Sequence, residues 1–294
     1  MEDRSVPKSL GYDLARGEGL ARQTPPEINP TLPSSATVNL NYLPPVGMQS
    51  IPNDPKELGA PPTCTAWATT YGVATFMAAQ AAKTSPSDPS LQASPGYIYC
   101  KVMAQINDTD QCWDSQCWDS QLLSYFDLLR GKTGTPSLAS AQYAPSCRKL
   151  WATYKAGAAS DPKFAISRFR YFDACELDSV KSVLASGVPL AYATALSRGF
   201  FDFHYRGSGP IPVLEGPFEQ IPNIGHCMLI IGYDDNMGKD GAFLIQNSFG
   251  TDWGTPIAEG TNGTNGYVWI GYHLFRFLVG TGANANPAFF VPAL

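Results

Sequence analysis

Three residues of this chain are of the types that together perform nucleophilic acyl chemistry. Cys64 stands in "GAPPTCTAWATTYG", between a proline-rich approach and a run with no charge until Lys83. A thiol attacks as its thiolate, so a nucleophilic cysteine needs a helix N-terminus, a cationic histidine, or both to lower its pKa from about 8.5. The chain has three histidines. His204, in "FFDFHYRG", and His273, in "IGYHLF", sit where packing or surface exposure is the ordinary role. His226 stands in "NIGHCMLIIGYDD", at the mouth of an apolar strand with a glycine before it, a position that fixes the ring and leaves one edge open to a cleft. An imidazolium also needs a group on its other nitrogen, and a neutral amide serves where a thiolate already supplies the negative charge. Asn247, in "LIQNSFGTDWG", ends the next strand. By type alone the ordinary role of Cys64 is that of a small buried hydrophobe. The order cysteine, histidine, asparagine on helix start, strand start and strand end favours the nucleophile.

The elements that must position these residues show in the periodicity. From Cys64 onward apolar residues recur at Trp67, Tyr71, Ala74 and Ala78 and the other faces are uncharged, as in a helix packed on all sides. "SQLLSYFDLLRG" carries Leu122, Leu123, Phe126 and Leu129 on one side and closes on Gly131, and "ELDSVKSVLASG" closes on Gly187. Beyond residue 187 come strands: "PLAYATAL", "MLIIGYDD", "GAFLIQNS" and "GYVWIGY". Helices followed by strands predict an α+β fold with segregated lobes and argue against a doubly wound parallel sheet. A helical lobe over 36–155 and a β-rich lobe over 156–294 are expected, with a cleft between them. The "DDNMGKDG" turn would pair two antiparallel strands, set His226 beside Asn247, and let Phe249 and Trp253 shield their hydrogen bond. The spaced acids of that turn lack the closing glutamate of a calcium loop, so a hairpin is the reading. Residues 1–35, rich in proline and polar residues, show neither period and read as an arm or short pro-segment outside the core.

Composition excludes other classes. With 44% apolar and 15% charged residues in 294, the chain can bury a sizeable core. A net charge of -5, without a basic cluster longer than a pair, gives no footprint for nucleic acid or an anionic membrane. The charge-free run Cys64 to Ala82 holds four threonines and no leucine, which makes it a poor membrane span. Seven cysteines are the arithmetic of several bridges plus one reactive thiol, which favours a secreted or periplasmic setting. The first residues lack the apolar stretch of a secretory signal, so either another route is used or the sequence begins after the signal. The repeat "CWDSQCWDSQ" at 112–121 reads as a local duplication in a loop, without the histidines of a zinc site.

"PPTCTAWATTYG", "GHCMLIIGYDD", "QNSFGTDWG" and "NGYVWIGY", in this order, resemble the nucleophile, histidine, asparagine and closing-strand motifs of papain-like cysteine peptidases. "LPSSATVNLNYLPPVGMQS", "SPGYIYC" and "YAPSC" resemble a bacterial branch of that family. The resemblance spans the chain from about residue 36 and implies a two-lobed papain-like fold. It implies a thiol endopeptidase that acts through a thioester acyl-enzyme, with Cys64 as nucleophile, His226 as acid and base, and Asn247 as orienter. The family's oxyanion glutamine stands six residues before the nucleophile, where this chain has Leu58. The resemblance therefore carries it to Gln49, with "IPNDPKELG" looping out. Asp119 and Ser120 fall where the family has a substrate-binding glycine pair. Ala193, Ile224 and Cys227 are expected to line the main side-chain pocket, with Trp253 beside it. Cys100 and Cys147 are expected to form a disulfide. No metal or organic cofactor is implied. The expected partners are polypeptide substrates of a monomer, with residues 1–35 as an inhibitory pro-segment of a zymogen. "RGSGPIPVLEGPFEQIPN", before the histidine, reads as an insertion that could form a lid. The displaced glutamine and lost glycines also leave room for an impaired papain-fold protein that binds peptide or glycan, and an amidase or transpeptidase would use the same acyl-enzyme.

Overall fold

In a computed structural model of the chain, the described residues are 10, 12, 14, 31–49, 61–107, 121–130, 134–157, 164–205, 209–258, 265–280 and 285–292. Helices dominate the first half. Helix α1 (Cys64–Ala66) runs without a break through a π-helical stretch, Trp67–Ala74, into α2 (Thr75–Ala82). Every residue from 64 to 76 is buried, which matches the absence of charge from all its faces. Helices α3 (Pro95–Asn107) and α4 (Leu122–Arg130) pack against it, and α5 (Cys147–Ala156) packs on α3. The helix expected from "ELDSVKSVLASG" is α6 (Leu177–Ala185), and the chain leaves it through Gly187 at φ +82°.

One early strand, β1 (Ser35–Thr37), joins seven from the second half in an eight-stranded sheet among the described residues: β2 (Arg170–Asp173), β3 (Leu190–Ala195), β4 (Val213–Leu214), β5 (Gly225–Asp234), β6 (Ala242–Gln246), β7 (Tyr267–Gly271) and β8 (Pro287–Phe290). Its order is β2-β8-β3-β5-β6-β7-β4, antiparallel except for the β4–β7 pair. Strand β5 is the axis. One edge is shared between β3, along residues 225–230, and β1, along 232–234, and the other edge takes β6 across a bulge at Ile231. The π-helical stretch rests on β5 and β3. That contact fixes the start of α1 against the start of β5. Two short helices, α7 (Arg198–Phe201) and α8 (Tyr272–Val279), complete the described elements.

Several expectations need correction. The arm is not wholly outside the core, because Leu10 and Tyr12 are completely buried within the main hydrophobic cluster. Cys100 and Cys147 do not pair: Cys100 is a thiol within that apolar cluster, whereas Cys147, at the first turn of α5, lies outside it and is disulfide-bonded. The insertion before the histidine does not overhang as a lid along 213–215. Strand β4 lies on the edge of β7, and Glu215 accepts a 2.5 Å hydrogen bond from the backbone N–H of Lys239, in the hairpin at the opposite end of β5 from His226. The repeat at 112–121 falls outside the described residues. Among the described residues no helix is long and apolar enough to cross a membrane, and no His, Cys, Asp and Glu group could hold a metal ion.

Candidate active site

One hairpin places the histidine and the asparagine. Leu229 pairs with Gln246, so one step further along the register Asn247 falls opposite Met228. His226, two residues before Met228, shares its face by strand alternation and meets Asn247 on the diagonal. The His226 Nε2–H donates to Asn247 Oδ1 at 2.9 Å, and the same oxygen accepts the Ser248 backbone N–H at 2.8 Å. Two donors on one oxygen fix the amide, and the amide fixes the imidazole tautomer. The Phe249 ring lies 5.1 Å from that of His226, with Phe200 and Trp253 stacked behind, so the His226–Asn247 bond is roofed by aromatic carbon.

The remaining ring nitrogen, Nδ1, is buried and makes no hydrogen bond of ordinary geometry. It is left to the sulfur of Cys64, the first residue of α1. Burial pushes the Cys64 thiol up, but four influences outweigh burial: a hydrogen bond with the Cys227 thiol, the charge of His226, a loose hydrogen bond with His226, and the Cys227 backbone N–H. The net result brings the thiol down from 9.0 to about 5. The Cys227 N–H donates to Cys64 Sγ at 3.3 Å. A thiol held there is a thiolate at neutral pH, the form that attacks carbonyl carbon.

Beside the sulfur lies a pair of donors around one oxygen. The Cys64 backbone N–H, one of the donors a helix start leaves unused, is 3.1 Å from the Leu10 carbonyl oxygen, and Gln49 Nε2 is 3.4 Å from the same oxygen. Gln49 reaches this place through its own backbone. Its N–H donates to Ser248 O at 2.8 Å, and the Gly250 N–H donates to Gly47 O at 3.0 Å, which ties 47–49 to the segment that follows Asn247. Ser248 Oγ donates to Gln49 Oε1 at 2.8 Å and turns the amide nitrogen towards Leu10. Gly47 is required at this crossing, because a Cβ there would lie 2.3 Å from the Trp67 ring. The arm continues over β5: Tyr12 bridges Gly225 antiparallel, and a Cβ on Gly225 would fall 2.4 Å from Tyr12 O.

The structure therefore brings together Cys64, His226, Asn247 and Gln49, and adds Leu10, Ser248, Phe200 and the thiol of Cys227 as neighbours that sequence reasoning did not place there. For Ser248 a signal existed, since it adjoins Asn247; for Leu10 the sequence carried none. Cys227, expected to line a side-chain pocket, faces a small cavity with Trp67, Tyr71 and Gln246. Its sulfur accepts from Thr65 Oγ1 at 3.6 Å and lies beneath the nucleophile. Ala193, opposite Cys227 in register, and Ile224 are buried beneath the same region of sheet. Trp253 donates its indole N–H to Phe200 O at 3.1 Å and serves as roof. Asp119 and Ser120 lie outside the described residues.

No family model and no curated protein matches the chain. Solved structures do. Xylellain, a cysteine protease from Xylella fastidiosa, is 18% identical with a TM-score of 0.62, over 98% of this chain and 98% of that one. Digestive procathepsin L 3 of Tenebrio molitor larval midgut is 14% identical with a TM-score of 0.64, over 99% of this chain and 79% of that one. Bromelain from Ananas comosus, solved in complex with the E64 inhibitor, is 15% identical with a TM-score of 0.55, over 88% and 98%. The chain has the α+β fold of papain-like cysteine proteases.

Proposed function

We propose that the chain is a cysteine endopeptidase held in a closed, zymogen-like state by its own N-terminal arm. One observation carries this reading: a thiol brought down to about 5 beside His226, with two hydrogen-bond donors converging on one carbonyl oxygen next to the sulfur. Donors so placed stabilise the oxyanion of a tetrahedral intermediate. In the open enzyme a substrate carbonyl replaces that of Leu10. The Cys64 thiolate attacks the carbon, and Gln49 and the Cys64 N–H hold the oxygen as it becomes negative. His226 delivers its proton to the leaving amine, then draws one from water to release the thioester. Asn247 keeps the ring in register throughout.

The arm blocks this sequence because its carbonyl occupies the donors and its side chains fill the adjoining surface. Burial of Leu10 and Tyr12 contributes about 1.5–3 kcal/mol each. We place the cleft between a lobe over 36–155 and one over 156–294, and read the enzyme as a monomer acting on polypeptides. The disulfide at Cys147 supports a setting outside the cytoplasm. The binding-protein reading loses its first motive, since Gln49 lies within reach of the carbonyl next to Cys64.

The experiment is labelling by a thiol-directed epoxide inhibitor of papain-like enzymes, read by peptide mass spectrometry, on the full chain and on Gly225→Ala. Stoichiometric modification at Cys64, faster in Gly225→Ala and lost in His226→Ala, is expected. Absence of labelling in both the full chain and Gly225→Ala would leave a binding protein.

A further inference from the structure

Cys227 follows His226 directly in the chain, and its thiol is not needed for any step of acyl transfer. It is nevertheless in contact with the nucleophile. The Cys227 N–H is 3.3 Å from Cys64 Sγ, the Cys227 thiol hydrogen-bonds the same sulfur, and Thr65 Oγ1 touches both sulfurs, at 3.9 Å from Cys64 and 3.6 Å from Cys227. Both residues are thiols in this state. Each sits on a rigid element, the first residue of α1 and the third residue of β5, and the π-helical stretch that continues α1 packs against β5. The two side chains thus meet across one packed contact, bracketed by a single hydroxyl.

We propose that Cys64 and Cys227 form a reversible intramolecular disulfide, so that the nucleophile carries its own resolving thiol. The proposal rests on the reading of Cys64 as a thiolate nucleophile. With hydrogen peroxide as oxidant, the Cys64 thiolate attacks one oxygen. The O–O bond breaks, the S–O bond of a sulfenic acid forms, and hydroxide leaves and takes up a proton as water. The Cys227 sulfur then attacks the Cys64 sulfur, the S–S bond forms, the S–O bond breaks, and a second water leaves with the Cys227 proton. Two thiols give up two electrons and one peroxide becomes two waters. A resolving thiol within reach diverts the sulfenic acid from the irreversible sulfinic and sulfonic acids, and a dithiol restores the enzyme by exchange. The pair thus stores the enzyme in an inactive but recoverable form.

The test equilibrates the full chain in dithiothreitol buffers of graded oxidised-to-reduced ratio, quenches in acid, alkylates the unfolded protein and maps its peptides. Expected is a peptide linked through Cys64 and Cys227 that appears in one two-electron transition and disappears on full reduction. After a peroxide pulse, Cys227→Ala should accumulate Cys64 sulfinic acid at least several-fold above the parent. The disulfide at Cys147 reports that each buffer is oxidising. If Cys64 and Cys227 are alkylated separately in buffers where Cys147 is bridged, the proposal is overturned. The iodoacetamide rate of reduced Gly225→Ala, in which the arm is displaced, separates the two ideas near pH 6: a fast thiol without a cross-link defeats only the disulfide, whereas a thiol that stays slow there defeats the nucleophile reading itself.

Discussion

The two walls of the site are built by different means. On one wall a single hairpin, β5 turning into β6, carries His226 and Asn247, 21 residues apart, and the strand ladder alone sets their diagonal contact at 2.9 Å. On the other wall nothing is local. Gln49 is held by Ser248, 199 residues away, Cys64 is placed by a helix start pressed against β5, and the oxygen between them comes from Leu10. The first wall tolerates insertions anywhere outside its hairpin. The second depends on long-range contacts that one added atom can disturb, which is where regulation can act.

Substitutions separate the walls, beginning with the largest effect. On the hairpin wall, His226→Ala removes the proton carrier, and peptide hydrolysis should fall by about 10²–10⁴-fold, read as kcat/KM on a fluorogenic peptide. Gln49→Ala on the other wall removes one of two oxyanion donors. It should lower kcat by about 10²–10³-fold with little change in KM, and an unchanged kcat would mean that the backbone N–H suffices. Gly225→Ala places a Cβ where Tyr12 O now lies. Alkylation of Cys64 should then accelerate, and each 1.4 kcal/mol shift in opening gives about tenfold in rate. An unchanged rate would show that the arm is not what shields the sulfur.

The same contrast explains what the sequence made legible. The charge-free run from Cys64, the apolar faces of α4 and α6, and the alternating strands all state their period within a dozen residues, so the helices-then-strands order and the hairpin wall could be read. Strand β8, which runs beside β3, is made by residues 287–290 at the far end of the chain, and no local pattern says which edge it joins. The burial of Leu10 and Tyr12 is hidden for a related reason: isolated apolar residues in a polar, proline-rich arm have no period, and only the surface they dock on gives them a role. The Cys100–Cys147 bridge implied by the resemblance fails because Cys100 faces the apolar cluster, and Cys147 lies outside it. Cys227 read as strand interior, and its contact with Cys64 needed α1 to be set beside β5.

The most direct measurement is the pH dependence of iodoacetamide alkylation at Cys64, with the labelled peptide identified by mass spectrometry, in the parent and in His226→Ala. A thiol lowered to about 5 is ionised above that pH, so the parent rate should rise through pH 5 and be near its plateau by pH 6–7. In His226→Ala, which loses the ring's charge and hydrogen bond, the rise should move towards higher pH. A rate that climbs only near pH 8.5 in both proteins would show an ordinary thiol and contradict the account.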